Sequence, residues 1–293
     1  MTDLSKRLKE ISERLLPSDI IEQYHHYESV SHDDFTGADY GGFIDIFNIS
    51  FTLLVKQVNR VSFVAKADWV DHRSVQYILL SHNIKTFYSV VDRVSYGFAD
   101  DAIVLMRPLL ETIIRLVHIS CYPEDPYSVL VHKPPKGTRH FQFNNFVEND
   151  LKLDWLQEYG IVSSFTHSNS YRTIEYAAAY GGQGIAPREI VTQTSGRDYT
   201  EVVTNSITFY LYCYMQIVRR VFTVELEDST DEEVWRDATE MEDILKTILL
   251  EHPNPSGRLL KLVKDADDLV NLILQADLGE SPWEDIWAKM RRK

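Results

Sequence analysis

The chain has 293 residues, of which 44% are apolar and 12% aromatic, so it can bury a hydrophobic core and does not belong to the disordered class. Its formal net charge of -14 argues against a general nucleic-acid-binding surface, because phosphate binding depends on clustered lysine and arginine. The length fits one large domain or two smaller ones.

Three features predict a soluble protein of the cytoplasm. The two cysteines, Cys121 and Cys213, lie in apolar helical contexts and form no C-x-x-C pair, which favours a reducing compartment. The first residues, "MTDLSKRLKE", lack the apolar segment of a signal peptide. The longest apolar run, 207–218, is too short to span a bilayer, so we expect no membrane partner.

Apolar residues at helical spacing dominate the chain and predict a mainly α fold, a multi-helix bundle. Residues 4–15 have the pattern of an amphipathic opening helix that ends before Pro17. Gly97 is expected to end the second of two long helices, and Asp100 or Asp101 to support the start of the next. After the opening helix, the predicted helices cover about 43–66, 70–97, 101–121, 145–158, 163–178, 199–224, 230–251 and 257–277, with a short strand in "EIVTQT".

The negative charge is concentrated near the C-terminal end. Residues 225–251 contain eleven acidic residues and two basic ones. We therefore predict a helical bundle over residues 1–227, which carries the polar site, and an acidic helical extension over 228–293, packed on the same domain. The acidic helix at 230–251 is expected either to bind a basic protein partner or to remain a solvated face.

Four polar residues interrupt the apolar helix predicted for 101–121. On a helical wheel with Arg107 at zero, Glu111 falls near 40°, Arg115 near 80° and His118 near 20°, at about 100° per residue. The four therefore form one polar stripe on a helix that is otherwise apolar nearly all round. Such a helix lies inside a protein, so the stripe is expected to face a groove, a partner or other polar groups.

Pro108 lies beside this stripe and allows two interpretations. Within a helix, Pro108 would remove a hydrogen-bond donor, leave the carbonyl of Val104 without its usual partner and bend the chain beside Arg107. Alternatively, Pro108 could begin a separate helix at its first turn, where proline fits well.

The stripe itself has three interpretations. It could be an intrahelical ion pair on a solvated face, although Arg107 before Glu111 is the weaker orientation for such a pair. It could be a buried structural network, or it could be a functional site.

A second polar cluster lies in the segment "YGIVSSFTHSNSYRT", residues 159–173. Ser163 and Ser164 each lie about one helical turn before His167, which can titrate near neutrality and exchange a proton. A histidine among serines can also serve as a capping or hydrogen-bonding residue, and that interpretation remains open.

Together the two segments resemble those of a helical bacterial protein family of unknown function, whose first segment carries Gly, Ala and Arg-x-x-x-Glu and whose second carries Ser followed by His. The stretches "YGFADDAIVLMRPLLETIIRL" and "IVSSFTHS" carry the resemblance, which covers about residues 80–170. The matching residues are Gly97, Ala102, Arg107, Glu111, Ser163 and His167.

That family is distantly similar to the HEPN superfamily of helical bundles, many of which are metal-independent ribonucleases of toxin and phage-defence systems. The resemblance implies a HEPN-like core and the same classes of activity. The usual HEPN motif, an arginine followed by a histidine after four to six residues, does not occur in this chain. Arg115 and His118 have only two residues between them, so ribonuclease activity would need a site assembled from different helices.

The residues themselves suggest how such a site would work. Arg107 could clamp a phosphate, His167 could act as general acid or base on a ribose 2′-hydroxyl, and Glu111 could orient either one. The predicted catalytic residues are thus His167, Arg107 and Glu111, and the predicted binding residues are Ser163, Ser164, Arg115 and His118.

The expected partner is RNA or a nucleotide, with no metal and no cofactor, and a homodimer is compatible with the long amphipathic helices. The alternative function is a non-catalytic helical interaction or scaffold protein, in which an Arg-Glu-His network is structural.

Overall fold

The computed structural model describes residues 25–26, 28–30, 32–33, 35–37, 40–64, 71–124, 126–129, 141–151, 155, 197–222, 232–251 and 257–277, and every regular element in these ranges is helical. The predicted mainly α multi-helix bundle is confirmed. The helices are α1 (Gly41–Val64), α2 (Asp71–Ser95), α3 (Ala99–Cys121), the short α4 (Phe143–Asn145), α5 (Arg197–Val221), α6 (Glu232–Glu251) and α7 (Gly257–Asp277). A 3-10 turn, Pro126–Val129, follows α3, and α4 runs directly into a π-helical turn, Phe146–Leu151.

Helices α2 and α3 form an antiparallel hairpin around Gly97. The backbone of Gly97 has φ of 87°, a left-handed conformation that glycine adopts without steric cost, and this ends α2 as predicted. Two buried hydrogen bonds join the helices: Asn83 Nδ2 donates to Thr112 Oγ1 at 2.7 Å, and Gln76 Nε2 donates to Ser120 Oγ at 2.8 Å. These bonds satisfy polar groups inside an apolar contact and set the register of the two helices.

The start of α3 differs from the prediction. The helix begins at Ala99 and its N-cap residue is Phe98, which makes no capping hydrogen bond through its side chain. Asp100 and Asp101 therefore lie within the first turn, and neither residue is the cap. The negative charge of Asp101 there interacts favourably with the positive end of the helix dipole. The expected boundary was two residues late because aspartate is so often the cap itself.

Helix α3 is one continuous helix through Pro108, so the interpretation that a separate helix begins at this proline is wrong. Pro108 is exposed, so its ring causes no loss of core packing. The apolar sides of α3 are almost completely buried, as the prediction required. The residues with at most 1% exposure are Ala99, Ala102, Ile103, Met106, Leu109, Leu110, Ile113, Ile114, Leu116, Val117 and Ile119.

Helix α5 is the central aromatic helix and packs against α1, α2, α3, α6 and α7. Tyr210, Tyr212 and Tyr214 are all buried. The Tyr214 hydroxyl donates to the backbone oxygen of Leu109 at 3.1 Å, and the Tyr212 hydroxyl donates to Asp267 Oδ1 at 2.5 Å. Neighbouring helices thus supply acceptors for the hydroxyls of Tyr212 and Tyr214 inside the bundle.

The helices of the acidic C-terminal region pack on the rest of the bundle: α6 on α1 and α5, and α7 on α3 and α5. The helix predicted for 145–158 is observed only in part, as α4 and the π-helical turn. The predicted opening helix, the helix at 163–178 and the strand in "EIVTQT" fall outside the described residues. Within the described ranges, no helix combines the length and the apolar character that crossing a membrane requires.

Candidate functional site

The charged residues of the polar stripe form a ladder of ion pairs along α3. Arg107 Nε donates to Glu111 Oε1 at 2.8 Å, and Arg115 Nη2 donates to Glu111 Oε2 at 2.8 Å. Each pair spans four residues, so the three side chains lie above one another on one helix face. We call these three residues the Arg-Glu-Arg ladder.

The ladder carries one net positive charge, because one carboxylate is shared by two guanidinium groups. Its side chains are partly buried, with 25% of Arg107, 15% of Glu111 and 31% of Arg115 exposed. Partial burial reduces solvent screening, so the remaining charge acts more strongly on a nearby anion than it would on an open surface. The arrangement is therefore neither a fully solvated ion pair nor a fully buried network.

Arg115 retains hydrogen-bonding capacity beyond Glu111. A guanidinium has five N–H donors in a planar fork. The Nε of Arg115 is buried and has no hydrogen-bond partner among the residues that the structure describes. A phosphate or carboxylate group matches the geometry of such a fork, so an anion beside the ladder would pair with N–H groups of Arg115 that the described residues leave unused.

His118 shares the face of the ladder on the helical wheel but lies in a different environment. Its side chain is 2% exposed, and its ring lies 4.8 to 4.9 Å from the rings of Tyr122, Phe141 and Phe146. The structure thus places this predicted binding residue in a buried aromatic cluster, in contrast to the partly exposed ladder. An imidazole packed among aromatic rings in this way mainly stabilises the hydrophobic core through ring contacts.

The remaining predicted site residues, Ser163, Ser164 and His167, lie outside the described residues. The structure therefore brings together Arg107, Glu111 and Arg115 of the predicted set. The meeting of the ladder with His167, on which the catalytic hypothesis depends, stays a prediction.

A second polar network, which the sequence did not predict, connects α5, α6 and α7 at Asp267. Asp267 Oδ1 accepts hydrogen bonds from Tyr212 at 2.5 Å and from Gln216 at 3.2 Å, and Lys246 Nζ lies 2.7 Å from Oδ2. The only sequence signal is Lys246, one of two basic residues in a strongly acidic stretch.

The pKa shifts in this network indicate a structural role. Burial raises the pKa of Tyr212 well above its ordinary value, and the hydrogen bond to Asp267 raises it further. Burial alone would raise the pKa of Asp267, but hydrogen bonds from Lys246, Tyr212 and Gln216 outweigh it and lower that pKa. These shifts favour the protonated tyrosine and the ionised aspartate, and the hydrogen bonds that Asp267 accepts from Tyr212 and Lys246 hold the three helices together.

The histidines near the start of the described chain show no metal-binding arrangement. His25 Nδ1 lies 2.9 Å from Glu28 Oε2, whereas His32 Nδ1 lies 3.3 Å from Ser95 Oγ and its ring stacks on Tyr96. Within the described part of the chain, no three His, Cys, Asp or Glu side chains are grouped in a way that could hold a metal ion.

Comparisons with protein-family models, with curated proteins and with solved structures found no match to this chain. The resemblance to HEPN-like proteins therefore stays a prediction from the sequence motifs.

Proposed function

We propose that the protein binds a phosphate-bearing ligand, RNA or a nucleotide, at the Arg-Glu-Arg ladder. The observation that carries this proposal is the sharing of Glu111 between Arg107 and Arg115, because these three residues together have two positive charges and one negative charge on a partly exposed face of an otherwise buried helix. A phosphate would neutralise that charge and accept hydrogen bonds from the guanidinium groups.

Glu111 has a specific part in this proposal. Its carboxylate oxygens lie 2.8 Å from both guanidinium groups and restrict these two long side chains before a ligand binds. Less conformational entropy is then lost on binding. Glu111 also balances one of the two positive charges, which lowers the cost of keeping them partly buried. Glu111 is thus a positioning residue, and the arginines are the binding residues.

Catalysis would require a further group. Cleavage of RNA without a metal needs a base for the 2′-hydroxyl, and His167 is the candidate from the sequence. In that form of the proposal, the protein is a HEPN-like ribonuclease effector of a prokaryotic toxin or phage-defence system. Replacement of His167 by alanine would then abolish cleavage and cell toxicity but leave phosphate binding at the ladder intact.

The alternative is a non-catalytic interaction protein in which the ladder only stabilises α3. The existing pairing of both arginines with Glu111 and the burial of His118 in an aromatic cluster favour this alternative. In that case the intrahelical pairs would contribute about 0.5 kcal/mol each to stability, and no phosphate ligand would shift the melting temperature.

The two functions are separated by binding measurements on Arg107→Ala, Arg115→Ala and the double variant. The probes are a labelled single-stranded RNA and a labelled mononucleotide, titrated at low and moderate salt. Arg236→Ala is the matched control, because Arg236 also has acidic neighbours on its helix but is 71% exposed on α6. Thermal melts of every variant establish that the fold is retained.

We expect each single variant to weaken binding of at least one probe about tenfold, since a hydrogen bond to a charged group contributes about 1.5 to 3 kcal/mol. The control should bind as the wild type does. Equal affinity of the wild type and the double variant for both probes, or no binding by the wild type, contradicts the proposal and leaves the structural alternative.

A further inference from the structure

A groove of about 490 Å³ lies between α1 and α6, on residues that the candidate site does not use. Its α1 wall runs from Asn48 to Lys56, a rise of roughly 12 Å or about two helical turns. The lining residues are Asn48, Ile49, Thr52, Leu53 and Lys56 of α1, and Asp237, Glu240, Met241 and Ile244 of α6.

The groove is apolar at its base and on both edges. Leu53 and Met241 are buried, whereas Ile49 and Ile244, one from each helix, are 55% and 42% exposed. Single exposed aliphatic side chains are common on protein surfaces. Two that line the same groove over an apolar base form a continuous patch, and such patches mark binding surfaces.

The α6 side of the groove is acidic. Asp237 and Glu240 line the groove, and Lys56 is the one basic residue of the lining. Lys246 is directed to Asp267 and does not offset these charges, since its Nζ lies 2.7 Å from the carboxylate. Arg236 lies 3.5 Å from Asp237, but solvent screens this exposed pair, so the arginine offsets little of the acidic charge. Further exposed acids continue along the same helix: Glu232, Glu233, Asp243 and Glu251.

We propose that this groove binds an amphipathic helix of a partner protein whose polar face is basic. An apolar groove between two helices suits a helical ligand that inserts side chains at positions i and i+3 or i+4. The contact length of about two turns accommodates two such side chains. Basic residues beside them would meet Glu240 and Asp237, and an acidic residue at one end would meet Lys56.

The charge of the groove discriminates against other occupants. Nucleic acid would bring phosphates against an acidic wall. A second copy of this chain has a formal net charge of -14, so its overall field would oppose its approach to this acidic surface. A basic helix adds attraction both to the groove and to the surrounding acidic surface of α6, which also raises the rate of association.

The test uses three labelled peptides of about eighteen residues, long enough for a helix of about five turns. The first has leucines at helical spacing with lysine and arginine elsewhere. The second replaces the basic residues with glutamate, and the third has the composition of the first in an order without an apolar face. Fluorescence anisotropy measures binding to the wild type and to Ile49→Asn, Ile244→Asn and Glu240→Lys.

We expect the first peptide to bind more tightly than the other two. Ile49→Asn and Ile244→Asn should each weaken it about tenfold at any salt concentration, because they remove apolar contact area. Glu240→Lys should weaken it about tenfold at low salt and less at high salt, because salt screens exposed charges. The controls Ile78→Asn and Glu148→Lys alter exposed residues outside the groove and should have no effect.

Three results would overturn the proposal. One is the absence of binding by the first peptide at millimolar concentration, and another is equal binding by all three peptides. The third is a dimer of the wild type that either isoleucine variant converts to a monomer in sedimentation, since a second copy would then occupy the groove. Melting curves of the variants verify that each is folded.

Discussion

Arg219 of α5 donates to both carboxylate oxygens of Glu242 on α6, from Nε at 2.8 Å and from Nη2 at 2.5 Å. The Glu242 side chain is 4% exposed, so its charge depends on this partner. The hydrogen bond to Glu242 raises the pKa of Arg219, whereas burial raises the pKa of the Glu242 carboxyl despite the hydrogen bond from Arg219. The guanidinium also lies 5.8 Å from the ring centroid of Trp235. The pair therefore fixes the acidic helix α6 onto the central helix of the bundle.

Removal of this arginine should strongly destabilise the protein. In Arg219→Ala, a buried carboxylate loses its partner, and we expect the free energy of unfolding to fall by about 3 kcal/mol. Urea unfolding measures the change, with Arg220→Ala as control, because Arg220 lies next to it in the chain and makes an exposed hydrogen bond to Asn271. If both variants lose the same small amount, the pair does not have the role that its burial implies.

The hydrogen bonds to Asp267 predict a loss of stability in acid. The folded state lowers the pKa of this carboxyl, so its contribution is complete above the unfolded value of about 3.9 and is lost as pH falls through the folded value. Below about pH 4, the wild type should therefore lose stability more steeply than Asp267→Asn does. Urea unfolding between about pH 6 and pH 2.5 gives both slopes.

The matched control for this pH dependence is Asp268→Asn, because Asp268 is the neighbouring residue on α7 and is exposed. It should keep the steep acid dependence of the wild type. Identical slopes for the wild type and Asp267→Asn would mean that the bonds from Tyr212, Gln216 and Lys246 do not favour the ionised form.

Pro108 lies inside α3, and its substitution should stabilise the helix. Proline removes one hydrogen-bond donor and crowds the preceding turn, at a cost of about 3 kcal/mol in a helix interior. Alanine also makes the unfolded chain more flexible, which lowers stability, but by less than this cost. We expect Pro108→Ala to raise the free energy of unfolding by about 2 kcal/mol, measured in urea.

Pro108→Ser provides the comparison, because serine also restores the donor but has a lower helix propensity than alanine. A smaller gain than that of Pro108→Ala is expected. A loss of stability in both variants would show that the surrounding structure depends on the proline ring.

Local patterns in the sequence predicted the long helices closely. The segments expected at 101–121 and 257–277 are observed as Ala99–Cys121 and Gly257–Asp277, since apolar periodicity depends only on near neighbours. The same reasoning placed Arg107, Glu111 and Arg115 on one face, and the hydrogen bonds of the ladder agree with that placement.

Contacts between distant segments were not predictable from these patterns. Tyr212 and Asp267 are separated by 55 residues, and nothing local distinguishes a tyrosine that meets a carboxylate from one that reaches solvent. The helical wheel also ignores the rise along the axis, which places His118 roughly 16 Å beyond Arg107 and next to an aromatic cluster formed by residues of α3 and the following segments.

The turn at Gly97 has a consequence for assembly of the bundle. Helices α2 and α3 share the most extensive helix–helix contact among the described elements, and only Tyr96, Gly97 and Phe98 separate them. Closing that short connection costs about 3 kcal/mol less in chain entropy than bringing α5 to α3 across the long intervening segment. The hairpin can therefore form before α5, and α5 can then pack on a surface that is already in place.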